Sequence, residues 1–337
     1  MRSFLRYLFF FFIILAVTWV RIPQAYNLEF PKSPGPAFDN QVRDLYINKL
    51  AEETPELVLL GDSTLMDGVN PEQLAELTGM KVSSFEIPGS ASAFWYVVLK
   101  NNIAKSEYKP KYLVILFRDS ILTAPGYRVH GSYFVQLDEF TRKREPILLE
   151  RAYLNLMNPL AKAAEAYVPL YGARVQIRQE IDAMIRYSIP GWLGCDMQCT
   201  DDRMYNVFEG SNLQPGLLQN AVASAERYLY TGRQLDFKRQ INASFLPEMI
   251  RLANENDIQL ILVRLKSRTM GEYETPALRR YIADLSDYLN EQHILFLDFG
   301  RDPRLINEYY ADTLHLSREG EAFFTEMLAE GLNDALK

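Results

Sequence analysis

The chain has 337 residues, 48% of them hydrophobic and 23% charged, a composition that supports a folded core and excludes a disordered or fibrous protein. Its net charge is −7, and no Lys/Arg block stands beyond the first few residues, which excludes the electrostatic footprint of a nucleic-acid binder. The length accommodates about two domains, or one α/β unit carrying an insertion.

In chain order, Arg2 and Arg6 precede an uncharged apolar run from Tyr7 to Val20. Counted from Phe4, with Arg6 snorkelling to the surface, the run approaches the roughly 20 residues a membrane span needs. Residues 1–24 therefore read as an N-terminal signal anchor. A removed signal peptide is the rival, but "VRIPQAYN" after the run offers no small-x-small cleavage site. Basic residues ahead of the run keep the N-terminus in the cytosol and send the remaining chain across the membrane, to the periplasm or cell surface. Residues 25–54 are rich in proline and read as a stiff linker.

Short apolar runs then alternate with amphipathic stretches, the rhythm of a mostly parallel sheet between helices. Strands are expected at "ELVLLG" (56–61), "KVSSFEI" (81–87), "KYLVILF" (111–117), "IQLILVRL" (258–265) and "HILFLDF" (293–299). Helices are expected at "PEQLAELTG", which ends on Gly79, at "ASAFWYVVLKNNIA", "LPEMIRLANEN" and "TPALRRYIADLSDYLNEQ", and in a terminal helix capped by Ser317. The sheet is thus split into a first half over residues 55–125 and a second over 245–337. Between them, residues 126–244 carry no βαβ rhythm but many aromatics, and read as a helical insertion. Such a segment either lines a ligand site above the strand ends or serves packing alone.

Cys195 and Cys199 are the only cysteines; across a membrane they form a small local disulfide, otherwise they are two unrelated thiols. With no histidine nearby they are too few ligands for zinc, so no metal is expected, and no cofactor motif is read.

Ser63 follows the first strand in "GDSTLMDG", at the edge where open α/β sheets bind ligands. A serine hydroxyl attacks an ester only with a general base in reach and a carboxylate to orient that base; otherwise it caps a turn. The chain has three histidines. His293 starts the fifth strand at the wrong edge, His130 lies in the insertion, and His315 sits before the terminal helix with Asp312 three residues earlier.

Gly-Asp-Ser after the first strand and Asp-x-x-His before the last helix together resemble the SGNH (GDSL-type) hydrolase superfamily. The resemblance covers residues 56–125 and 245–337 and implies a flavodoxin-like α/β fold with Ser63 as nucleophile, His315 as base and Asp312 as its partner. It also implies that Gly89 in "FEIPGSAS" gives a backbone N–H to the oxyanion. The family's third block, Gly-x-Asn-Asp, is replaced by "LFRDSIL". Arg118 there either stands in as a cationic donor or pairs with Asp119 in the scaffold. With an N-terminal anchor, the chain looks like the branches that modify cell-envelope polymers, of the teichoic-acid D-alanylation and alginate-acetylation type. What this implies is a serine acyltransferase or esterase acting on an acyl ester and a glycan or polyol hydroxyl, beside a membrane-bound O-acyltransferase. The alternative is a non-catalytic envelope protein that keeps the scaffold to dock such a partner or to bind glycan.

Overall fold

Five short runs, most of them apolar, form one sheet: β1 Leu57–Gly61, β2 Val82–Glu86, β3 Tyr112–Phe117, β4 Gln259–Arg264 and β5 Leu295–Asp298. In the computed structural model every neighbouring pair is parallel and the order is β2-β1-β3-β4-β5, the flavodoxin-like arrangement. The structure describes residues 2–39, 41–208, 226–267 and 274–336.

The central strands read as unbroken hydrophobic runs because both faces are covered, as parallel sheets require. Alternation sorts their side chains into two cores. Val58, Leu60, Leu113, Ile115, Phe117, Leu260 and Leu262 fall in one. Leu57, Leu59, Val114, Leu116, Ile261 and Val263 fall in the other.

The helices follow from handedness. The step from β1 to β2 runs one way along the sheet, and its helix, Pro71–Thr78, buries Leu74 in the second core. Every later step runs the opposite way, so a right-handed crossover must place its helix on the other face. Ser92–Val98, Leu246–Glu255 and Pro276–Glu291 accordingly fill the first core. The terminal helix, Arg318–Ala335, returns to the second face through Phe324, Met327, Leu328 and Leu332. The Ser317 hydroxyl accepts the Gly320 N–H at its cap, and Gly79 closes Pro71–Thr78 in the left-handed region at φ +72°.

Two compact units emerge, Met1–Pro36 with Leu156–Ala225, and Ala37–Asn155 with Glu226–Lys337. Residues 126–155 and 226–244 thus belong with the sheet. So does part of the expected linker: Leu45–Glu53 is a helix burying Tyr46 and Leu50, an i, i+4 pair that the surrounding prolines obscure in the sequence. In the other unit, Arg2–Ala25 is a helix, long and apolar enough over Ser3–Ala25 to cross a membrane. At 1.5 Å per residue it spans roughly 36 Å, against a hydrocarbon core of about 30 Å.

Candidate active site

The strand order reverses between β1 and β3, and the site lies beyond their carboxyl ends, where open α/β sheets hold ligands. β1 stops at Gly61 because the chain must turn at once into the short Ser63–Met66 helix: a Cβ on Gly61 would lie 2.7 Å from the Leu65 Cβ. Buried Asp62 caps that turn, its Oδ1 accepting the Thr64 N–H at 2.9 Å and the Thr64 hydroxyl at 2.7 Å. Asp62 thus holds the turn, and Ser63 is the side chain presented beyond it.

His315 arrives from the far end of the chain on a tightly closed loop. Tyr310 and Leu316 form an antiparallel bridge, the Ala311 N–H donates to the His315 carbonyl at 2.9 Å, and the Ser317 N–H to the Tyr309 carbonyl at 2.8 Å. Inside the loop Asp312 Oδ1 accepts the N–H groups of Leu314 (2.7 Å) and His315 (2.8 Å), which leaves Oδ2 for the imidazole. The result is a continuous row: Ser63 Oγ to His315 Nε2 is 2.9 Å, and His315 Nδ1 to Asp312 Oδ2 is 2.8 Å.

Charge sets the direction of that row. Burial raises the Asp312 pKa, but the bonds from the His315 ring, the His315 N–H and the Leu314 N–H outweigh it and hold the carboxyl below its ordinary value. An ionised carboxylate only accepts, so Nδ1 carries the proton and Nε2 is left to accept from the Ser63 hydroxyl.

Gly89 lies in the loop after β2, at φ +78°, where a Cβ would meet the Tyr133 ring at 2.8 Å. That loop is tied to the end of β1 by the Ile87 N–H (3.0 Å) and the Ser90 hydroxyl (3.3 Å), both donating to the Gly61 carbonyl. Among the described residues the N–H groups of Ser63 and Gly89 have no hydrogen-bond acceptor.

The third block is organised differently. Buried Arg118 donates from Nη1 to Glu226 Oε2, and its Nε has no partner among the described residues. Glu226 also accepts the Tyr127 hydroxyl (2.5 Å) and Arg128 Nη2 (3.2 Å) on Oε1, while Arg128 Nη1 lies 3.7 Å from Asp62 Oδ2. Burial and the Glu226 charge push the Tyr127 phenol up to about 12, so it remains a donor. Asp119, at φ +48°, takes the Tyr230 hydroxyl at 2.5 Å and lies 3.8 Å from Arg264 rather than in an ion pair with its neighbour Arg118. Arg264 also reaches Glu274 (2.7 Å) and Asp298 (3.3 Å). Two mostly buried ionic clusters therefore lie behind the Ser63 turn, one from Asp62 to Arg118 and one centred on Arg264.

The other histidines stand apart: exposed His130 lies edge-on to the Tyr153 ring, and His293 occupies a left-handed turn before β5. Cys195 and Cys199 are joined in a disulfide. Sequence reasoning missed Arg128, Glu226 and Arg264. A signal existed for the last, an arginine directly after the four core residues Leu260 to Val263 of its strand.

No family model matches the chain and no curated protein is similar to it. Similar solved structures include one assigned to the lipolytic G-D-S-L family from Desulfitobacterium hafniense, 11% identical, covering 82% of this chain and 98% of its own, with TM-score 0.40. A GDSL-like lipase from Bacteroides thetaiotaomicron is 12% identical, covering 86% and 98%, with TM-score 0.37. An acetyl xylan esterase is 10% identical, covering 83% and 100%, with TM-score 0.37. At such values the chemistry of the site rests on its own geometry.

Proposed function

We propose that this chain is an SGNH-type serine enzyme of ester bonds, held at a membrane by its first helix with the sheet unit outside the cytoplasm. The observation that carries the reading is the row Ser63, His315, Asp312 at the switch point of the sheet, with both bonds under 3 Å. As Ser63 Oγ attacks an ester carbonyl, its proton passes to His315 Nε2, and Asp312 stabilises the imidazolium. The N–H groups of Ser63 and Gly89 meet the developing oxyanion, each worth roughly 3 kcal/mol of barrier. Collapse expels the alcohol, which leaves with the proton from His315, and the acyl group stays on Ser63. An incoming hydroxyl then reverses the steps, giving its proton to His315 and taking the acyl group. Arg118, engaged by Glu226, acts in this reading as a scaffold cation.

Whether water or a glycan hydroxyl accepts the acyl group decides between esterase and transferase, and we favour an envelope glycan or polyol as acceptor. The anchor helix and the disulfide support an extracytoplasmic setting. In the branches this chain resembles, a membrane-bound O-acyltransferase supplies the acyl group, and we extend that arrangement to it as a partner.

The test is intact-mass spectrometry of the full chain in detergent after treatment with a fluorophosphonate. One adduct is expected, absent from Ser63→Ala and slow to form in His315→Ala. A folded parent that takes no adduct, while a serine esterase labels in parallel, would leave the non-catalytic scaffold as the better account.

A further inference from the structure

The helical unit exposes an apolar surface that nothing among the described residues covers. Its long helix, Arg174–Trp192, turns back through the Cys195–Cys199 disulfide into a second helix, Met197–Phe208. The pair is held together on one side, where Asp201 accepts the Tyr187 hydroxyl at 2.8 Å and lies 3.9 Å from Arg186. On the outer side Ile181, Met184, Ile185, Ile189 and Trp192 fall along one stripe at helical spacing, all exposed, and the tip adds Leu193. Trp192 is 85% exposed and Leu193 82%, values that ordinary water-facing tips rarely give such side chains.

Contacts within this unit hold the start of the hairpin beside the end of the anchor helix, against which Pro169–Gly172 also packs. Its base is tied to the chain well past the anchor: buried Glu165 accepts the Gly35 N–H at 2.9 Å, lies 3.8 Å from Lys32 and pairs with Arg174 at 2.8 Å. Six residues along, Glu180 Oε2 accepts the hydroxyl of Tyr26, the residue just after the anchor, at 2.6 Å. From Arg174 to Glu180 the helix therefore lies beside the residues that follow the anchor. Its continuation to Trp192 extends the exposed stripe by roughly 18 Å. Charged Arg186 and exposed Asp201 and Asp202 limit how deep it can go, which suits the boundary between headgroups and acyl chains rather than a full crossing.

We propose that the disulfide-closed hairpin of residues 174–208 lays its outer stripe and its tip into the outer surface of the bilayer beside the anchor, as a second membrane contact. Tryptophan at the tip is the residue type that settles at this depth. Two contacts fix the rotation of the helical unit about the anchor, which a single helix leaves free. The inference rests on the membrane-anchored reading above.

The experiment uses the full chain with Trp19→Phe, reconstituted in phosphatidylglycerol vesicles containing lipids brominated near the headgroup end of the acyl chains. Trp95, fully buried in the sheet unit, is the internal background and Trp192 the reporter. Expected is emission about twofold lower than in unbrominated vesicles, a loss abolished by a further Trp192→Phe. A chain that co-floats with the vesicles yet shows equal quenching with and without Trp192 would overturn the hairpin contact and leave the anchor standing. That result together with crosslinking of the hairpin between chains would assign the stripe to a second copy. A chain that fails to co-float would overturn both.

Discussion

Two sets of side chains meet at the carboxyl edge of the sheet, and they are built on opposite principles. The row from Ser63 to Asp312 is short and reachable by water, with His315 and Asp312 part-exposed on a loop of a few residues. The network behind it is long and mostly buried and comes in two parts, from Asp62 through Arg128 and Glu226 to Arg118, and from Tyr230 through Asp119 and Arg264 to Asp298; every link joins opposite charges or a phenol to a carboxylate. A buried charge without a partner costs several kcal/mol, so the network must close on itself. A reacting group must keep one valence open, so the row ends in a hydroxyl. The difference predicts that changes in the row lower activity while the fold survives, and that changes in the network unfold the protein first.

The largest effect separates them outright. Ser63→Ala should lower turnover of a p-nitrophenyl ester by on the order of 10⁴-fold or more, with the urea midpoint unchanged. Asp312→Asn should cost roughly 10³-fold, because an amide facing Nδ1 favours the wrong tautomer. Arg264→Ala inverts the pattern: Asp119 and Asp298 lose their arginine while Glu274 keeps only Arg301, and about 3–5 kcal/mol of stability should disappear in the same denaturation assay. If Arg264→Ala instead left the midpoint in place, the network would be ornament.

Gly89→Ala should fall between the two classes. A Cβ there is strained by φ +78° and strikes the Tyr133 ring, at a cost of about 1–2 kcal/mol, and displacement of its N–H should slow turnover by roughly tenfold or more. Loss of stability without loss of rate would remove Gly89 from the oxyanion site.

The contrast also explains what could be read from sequence. Ser63, Gly89, Asp312 and His315 each sit at a marked place, a strand end or a helix start, where the local run of residues announces them. Strands β1, β3 and β4 were legible because burial on both faces fills them with apolar residues, and the terminal helix because Ser317 caps it. Glu226 and Arg128 carry no such mark. Their pairing joins residues 98 apart, and partner choice across that distance depends on tertiary placement rather than periodicity. Arg118 shows the same limit: its neighbour Asp119 is the obvious mate in sequence, but the left-handed backbone at Asp119 is accompanied by separate partners, Glu226 for the arginine and Arg264 with Tyr230 for the carboxylate.

The smallest expected effect tests whether the row contributes to folding at all. The Asp312 carboxyl is held below its ordinary value by hydrogen bonds that exist only in the folded loop. A depressed carboxylate stabilises the fold above its unfolded pKa, near 3.9, and that contribution fades as pH falls through the lower folded value. Stability of the parent should therefore drop more steeply below about pH 4 than that of Asp312→Asn, whose amide oxygen can still accept the Leu314 and His315 N–H groups. Because Asp312 is well over a third exposed, water screens the effect and the two curves should differ only slightly. Chemical denaturation from pH 7 to pH 3 reads the difference directly. Parallel curves would mean that the loop is set by its backbone bridge alone, and that the bonds to Asp312 orient the imidazole without helping to fold the chain around it.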